Sequence, residues 1–344
     1  MTSVLPASPL LARPGAVAAE GVDAGVALHF GDPVREQRAL ARAAGWVDRS
    51  NRGVVAVPGA DRLAWLHSIT SQHLSALRDG RGTEALVLSP HGHVEHHALV
   101  AELGGTTWLD IEPGTAPDLL AYLDSMRFLL RVEPRDATAE LAVISVVGPR
   151  TPDVLAVAGL PVPSGPYDVL PVAGGGLLRR MPWPGPDAAD LLVPRAELVD
   201  VATRLTGAGA DPAGTWAYDA LRVEARRPRL RLETDHRTIP HEVGWIGVAV
   251  HLDKGCYRGQ ETVARVHNLG RPPRRLVLLH LSGESERLPP PGSPVTLDGR
   301  HIGFAGTAVR HYELGPVALA LVKRTVADDA TLRVADSTAA IDPD

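Results

Sequence analysis

Lys254-Gly255-Cys256-Tyr257-Arg258-Gly259-Gln260-Glu261 places the one cysteine of the chain between two glycines and beside two cations. Glycine allows positive φ and close approach of a ligand to the backbone. From Gln260 to Asn268 the residues have helical character, with Leu269-Gly270 as an exit. Cys256 is therefore expected just before a helix N-terminus, where the macrodipole, Lys254 and Arg258 all favour a thiolate. A reactive or ligating thiol is one reading. A buried, inert cysteine behaving as a small hydrophobe is the other.

Upstream, residues 1–24 are rich in Ala, Pro and Gly and are expected to form a loose tail. A helix is predicted over 36–44, a strand over 54–57, and a helix capped by Asp61 with Leu63, Leu66 and Ile69 on one face. Residues 85–89 and 94–100 read as a hairpin across Pro90-His91-Gly92. Residues 118–128 read as an amphipathic helix, 142–147 as a buried strand, and 196–205 and 215–225 as further helices. Strand pairs and helices alternate without a regular βαβ repeat, so the expected class is α+β, with one folded body over 25–272. Beyond Arg271-Pro272-Pro273 short apolar runs alternate with Pro-Gly and Asp-Gly turns. That texture predicts a small β-barrel over 274–334, followed by a tail over 335–344.

Composition narrows the function classes. The 344 residues are 44% hydrophobic and 22% charged, as in soluble globular proteins, which excludes whole-chain disorder. A net charge of −5 supplies no global field for nucleic acid, so any anion site is local. A single cysteine excludes an intrachain disulfide framework and a CxxC metal knuckle. No signal-peptide pattern and no apolar run near the roughly 20 residues of a membrane span is present. The expected location is cytoplasmic, with no membrane partner.

Lys-Gly-Cys-Tyr-x-Gly-Gln-Glu resembles the signature of the YgfZ proteins, relatives of the glycine cleavage T-protein (aminomethyltransferase). Further segments match in order: Trp46-Val47-Asp48-Arg49-Ser50 with Gly53, Val57-Pro58-Gly59-Ala60-Asp61, Leu221-Arg222-Val223-Glu224, Ile239-Pro240-His241-Glu242, and Ala318-Leu319-Ala320-Leu321-Val322-Lys323. The resemblance implies interleaved ferredoxin-like lobes forming a folate-binding body, closed by a C-terminal β-barrel. It also implies tetrahydrofolate or a derivative as cofactor. Glu224 would then be a buried carboxylate accepting the paired donors of the pterin edge. Tyr257, Gln260, His96 and His97 join it as candidate folate contacts. Arg226, with Arg227, Arg229 and Arg231, would meet the anionic glutamate tail, although a solvated charge run and a nucleic-acid contact fit those arginines as well.

One departure bears on the reaction. The T-protein segment Gly-Gly-x-x-Asp-Asp, which carries the acid that handles the reactive folate nitrogen, corresponds here to Gly92-His93-Val94-Glu95-His96-His97. Histidine can act as a base but does not supply a fixed negative charge. Aminomethyl transfer is therefore not expected. On a strand, His93, Glu95 and His97 would share one face, a set able to bind zinc or iron. The spacing matches no established metal motif, and a polar hairpin explains it equally, so no metal ligand is assigned.

The resemblance implies an accessory protein that supports iron–sulfur cluster assembly or repair in client enzymes, with Cys256 as the functional thiol and Lys254 beside it. A folate-dependent one-carbon transferase or demethylase is the alternative, and an adaptor binding tRNA or protein is a third.

Overall fold

Past Arg274 the apolar residues come in continuous runs, and the computed structural model shows successive side chains of those runs alternating between two covered faces. The strands Arg274–Leu281, Gly315–Lys323, Arg300–His311, Pro294–Leu297, Thr331–Val334 and Ser337–Ile341 pair in this order and close into a barrel. Val277, Leu279, Val295, Ile302, Ala318, Ala320, Val322, Leu332 and Ile341 fill its interior. Their neighbours Leu278, Val309, Val317 and Leu319 face outward and cover Ala220 and Val223 of the helix Thr215–Glu224. The same alternation thus fills the barrel and seats a helix on its wall.

Described residues are 5–185, 187–283 and 286–343. The fold is mixed α/β, and among the described residues two larger sheets and one two-stranded sheet accompany the barrel. A six-stranded sheet runs Val169–Pro171, Leu177–Met181, Ala188–Pro194, Leu141–Val147, Gly45–Asp48, Asp211–Ala213, with only the last pair parallel. A five-stranded sheet runs Arg81–Leu88, Val94–Leu103, Thr106–Ile111, Gly53–Pro58, Arg135–Asp136. The chain divides into two compact units. One comprises Met1–Ile69, His73–Ala85 and Ala98–Tyr218; the other comprises Thr70–Gln72, Leu86–His97 and Asp219–Asp344. Residues 25–272, expected as a body of two interleaved lobes, contribute to both units.

The first unit contains an ionic core. Arg179 is fully buried, and its Nη2 lies 3.0 Å from Asp110 Oδ2 and 2.9 Å from Asp190 Oδ2. Arg52 pairs with Asp110 and with Glu112. Arg49 donates to Ser145 Oγ and to the Tyr218 hydroxyl, and lies 3.5 Å from Asp190. Three buried guanidiniums and three buried carboxylates balance one another, which is the condition under which buried charge is tolerated.

Both chain ends differ from expectation. In the segment 1–24, residues 1–4 lie outside those described, and the rest is not a loose tail. Ser8 caps a short 3-10 turn, Pro9–Ala12, and Leu10 is buried beside Trp46, Ile144 and Leu191. Val17–Ala18 pairs with Ala27–His29. At the other end, residues expected as the tail 335–344 supply the strand Ser337–Ile341. It pairs with both Thr331–Val334 and Arg274–Leu281, because the sheet must satisfy its last edge to close.

Candidate functional site

The second unit gathers the cysteine peptide, the histidine hairpin and Thr70–Gln72. Lys254, Tyr257 and Gly259 are buried, whereas Gly255 and Cys256 are exposed, so the loop alternates anchors with an outward-facing thiol. Lys254 Nζ donates to the carbonyl oxygens of Thr70 at 2.5 Å and Gln72 at 3.2 Å, and lies 4.9 Å from the centre of the Tyr257 ring. Burial pushes the Lys254 ammonium down to about 8, against the pull of these acceptors. Burial also pushes the Tyr257 phenol up to about 12; its ring packs among Leu86, Val94, Trp245 and Val263. Gln260 Nε2 donates to the Lys254 carbonyl at 3.3 Å.

Gly259 precedes the helix Gln260–Leu269 with φ of 83°. A Cβ there would lie 2.6 Å from the Ser89 carbonyl oxygen and 2.9 Å from Gly92 Cα. Gly92, itself at φ of 79°, has Thr262 at the same kind of distance. Two left-handed glycines therefore let the hairpin turn and the start of the helix touch backbone to backbone. Arg258 Nη1 meets Glu95 Oε2 at 3.0 Å across this contact. The cations expected to favour a Cys256 thiolate thus bond elsewhere: Lys254 to carbonyl oxygens, Arg258 to a carboxylate.

His96 and His97, consecutive on the strand Val94–Leu103, are both buried, so both faces of the strand are covered here. The His97 ring stacks on Trp245, with centroids 4.8 Å apart and planes at 21°. With His97 on an indole and Glu95 on a guanidinium, the three side chains considered for metal do not converge. Among the described residues no group of three or more His, Cys, Asp or Glu is placed to hold a metal ion.

A second group lies along the barrel. The Glu224 side chain, expected buried, is 47% exposed and sits 3.2 Å from His311 Nε2. Arg226 donates to Asp342 Oδ1 at 2.6 Å, and His280 Nε2 lies 2.6 Å from the other oxygen of that carboxylate. The His280 hydrogen bond, joined by the charge of Arg226, holds the Asp342 carboxyl below its usual range. Arg229 lies 3.6 Å from Asp219, and Arg222, fully buried, reaches Asp219, Glu233 and Thr307. Arg226 is thus engaged by Asp342, while Arg222 and Arg229 share Asp219.

Sequence reasoning missed three contributors. Ser71 Oγ donates to Ala249 O at 2.6 Å and accepts from Leu86 N at 2.9 Å, knitting Thr70–Gln72 into the site. Trp245 backs His97, and His311 faces Glu224. The only available signals were a polar Thr-Ser-Gln run after an apolar helix and an aromatic residue just past Ile239-Pro240-His241-Glu242.

The domain family described as the GCVT N-terminal domain matches residues 13–254. An aminomethyltransferase of Herpetosiphon aurantiacus is 28% identical over 335 residues, covering 92% of this chain and 90% of that protein. A chloroplastic protein of Arabidopsis thaliana, named as a transferase, is 29% identical over 269 residues, which are 75% of this chain but 60% of that one. In fold, the crystal structure of the glycine cleavage aminomethyltransferase T of Bartonella henselae superposes with a TM-score of 0.85. It covers 96% of this chain and 93% of its own, at 19% identity. No helix among the described residues is long and apolar enough to cross a membrane.

Proposed function

The chain belongs to the GCVT N-terminal domain family, and from that premise we propose that it binds tetrahydrofolate and assists iron–sulfur cluster assembly or repair, with Cys256 as its working thiol. The observation that carries this reading is the construction of the loop: Lys254, Tyr257 and Gly259 are fixed inside while Cys256 stands in solvent. A thiol so presented suits transfer to, or shared ligation with, a partner. One cysteine does not hold a cluster alone, so the remaining ligands come from the client, a second copy or a small thiol. The assignment to the YgfZ type rests on the cysteine peptide itself.

For folate, the half-exposed Glu224 carboxylate offers two acceptor oxygens to the paired donors of a pterin edge. Arg226 would release Asp342 to meet a glutamate tail. The names of the relatives support a second reading, folate-dependent one-carbon transfer. Against it stands the hairpin, where His97 lies flat on Trp245 at the position of a family acid and provides no ionised carboxylate.

The test is complementation of a strain lacking the protein, scored on the activity of iron–sulfur enzymes under oxidative stress. Wild type restores activity and Cys256→Ala does not. Full rescue by the alanine variant removes the thiol from the mechanism, and turnover of methylamine-type donors with tetrahydrofolate would favour the transferase.

A further inference from the structure

Glu224 is the last residue of its helix, where the macrodipole disfavours a carboxylate. Facing it is His311, which ends the barrel strand Arg300–His311 and whose side chain has no exposure. His311 Nδ1 accepts hydrogen bonds from the backbone N–H groups of Glu313 at 3.2 Å and Leu314 at 3.1 Å. A ring nitrogen that accepts carries no proton, so the single N–H of the neutral imidazole sits on Nε2. That nitrogen lies 3.2 Å from Glu224 Oε2, with its N–H off the line needed for a hydrogen bond. The Glu224 carboxylate is half-exposed, so packing does not fix its orientation toward that N–H.

Apolar packing of Ala220 and Val223 on Leu278, Val309, Val317 and Leu319 sets the spacing between helix and strand. Capping the turn at Glu313 and Leu314 needs only Nδ1, which leaves Nε2 surplus to that structural role. We infer that His311 is a positioning residue for Glu224: its Nε2–H holds Oε2 and so directs Oε1 toward the N–H donors of a bound ligand. The inference rests on Glu224 being the folate carboxylate proposed above.

Two substitutions separate the nitrogens. In His311→Asn the amide oxygen replaces the Nδ1 acceptor and nothing replaces Nε2; in His311→Gln the amide nitrogen reaches the Nε2 position. In titrations with tetrahydrofolate, His311→Asn is expected to bind about tenfold more weakly and His311→Gln within about threefold of wild type, the loss of one hydrogen bond to a charged group. Adding His311→Asn to Glu224→Gln should weaken binding no further. Unchanged affinity in His311→Asn while Glu224→Gln loses affinity, or additive losses, would overturn the inference. Wild-type binding with a silent Glu224→Gln would instead sink the role of Glu224, and no wild-type binding the folate reading. Nitrogen and carbon NMR of the ligand-free protein decides the positioning claim in either case. A protonated Nε2, and a Glu224 carboxyl resonance that moves in His311→Asn but not in His311→Gln, support it; a Glu224 resonance unmoved in both contradicts it.

Discussion

In the first unit Arg49, Arg52 and Arg179 are held by Asp110, Glu112 and Asp190, charge against charge. In the second, Lys254 is held by two backbone carbonyls and the face of Tyr257. The ionic core points nothing toward solvent: each carboxylate faces a guanidinium, and Arg179 joins the strand Leu177–Met181 to the strand Thr106–Ile111. The cysteine loop is held by backbone carbonyls and an aromatic face at Lys254 and by a single ion pair at Arg258, and it leaves its thiol outside. The buried polar groups of the ionic core close on one another, whereas those of the cysteine loop flank one exposed thiol, which is why the working thiol is proposed there.

The largest effect should come from the ionic core. Arg179→Met leaves Asp110 and Asp190 short of a partner and should cost about 3–5 kcal/mol, read from the urea midpoint. A loss below about 1 kcal/mol would mean the sheets do not depend on the charge balance. Next, Gly259→Ala should cost about 2–3 kcal/mol, since it puts a Cβ 2.6 Å from the Ser89 oxygen at positive φ. Thermal melting measures this, and an unperturbed melt would show that the hairpin and helix can separate freely.

Lys254→Met should cost about 1–2 kcal/mol near neutral pH by leaving the Thr70 and Gln72 carbonyls without their donor. Its pH dependence follows from the ammonium being pushed down from 10.5 to about 8. Between those values the unfolded chain binds the proton and the folded chain does not, so wild-type stability rises with pH across that window. Relative to Lys254→Met, wild type should therefore gain stability from about pH 8 to 10.5; a flat difference would place the ammonium in solvent. Smallest of all, Cys256→Ala should change stability by no more than about 0.5 kcal/mol, because the side chain is exposed. A larger loss would make the cysteine structural.

The same contrast explains what was legible in the sequence. The cysteine loop is contiguous, so its glycines, its thiol and the helix start read together within eight residues, although the groups that hold it come from Thr70–Gln72 and the hairpin. The barrel announced itself through short apolar runs such as Leu276 to Leu281 set between Pro-Gly and Asp-Gly turns, runs kept apolar because this wall faces the barrel core on one side and a helix on the other. The ionic core left no trace, since Arg52, Asp110, Arg179 and Asp190 come from four separate strands or their flanks and read singly as surface charges. The chain ends misled for a related reason. One anchor, Leu10, fixes a proline-rich stretch, and the strand Ser337–Ile341 is made largely of small residues whose value appears only when the barrel closes. At Glu224 the segment was recognisable, but its exposure and its partner His311 depend on barrel packing far along the chain.

The central claim, a folate-binding chain with a working thiol rather than an aminomethyltransferase, is tested most directly by calorimetric titration of the whole protein with tetrahydrofolate. The account predicts saturable binding that survives Cys256→Ala and weakens in Glu224→Gln. Absence of saturable binding to the wild-type protein would contradict it.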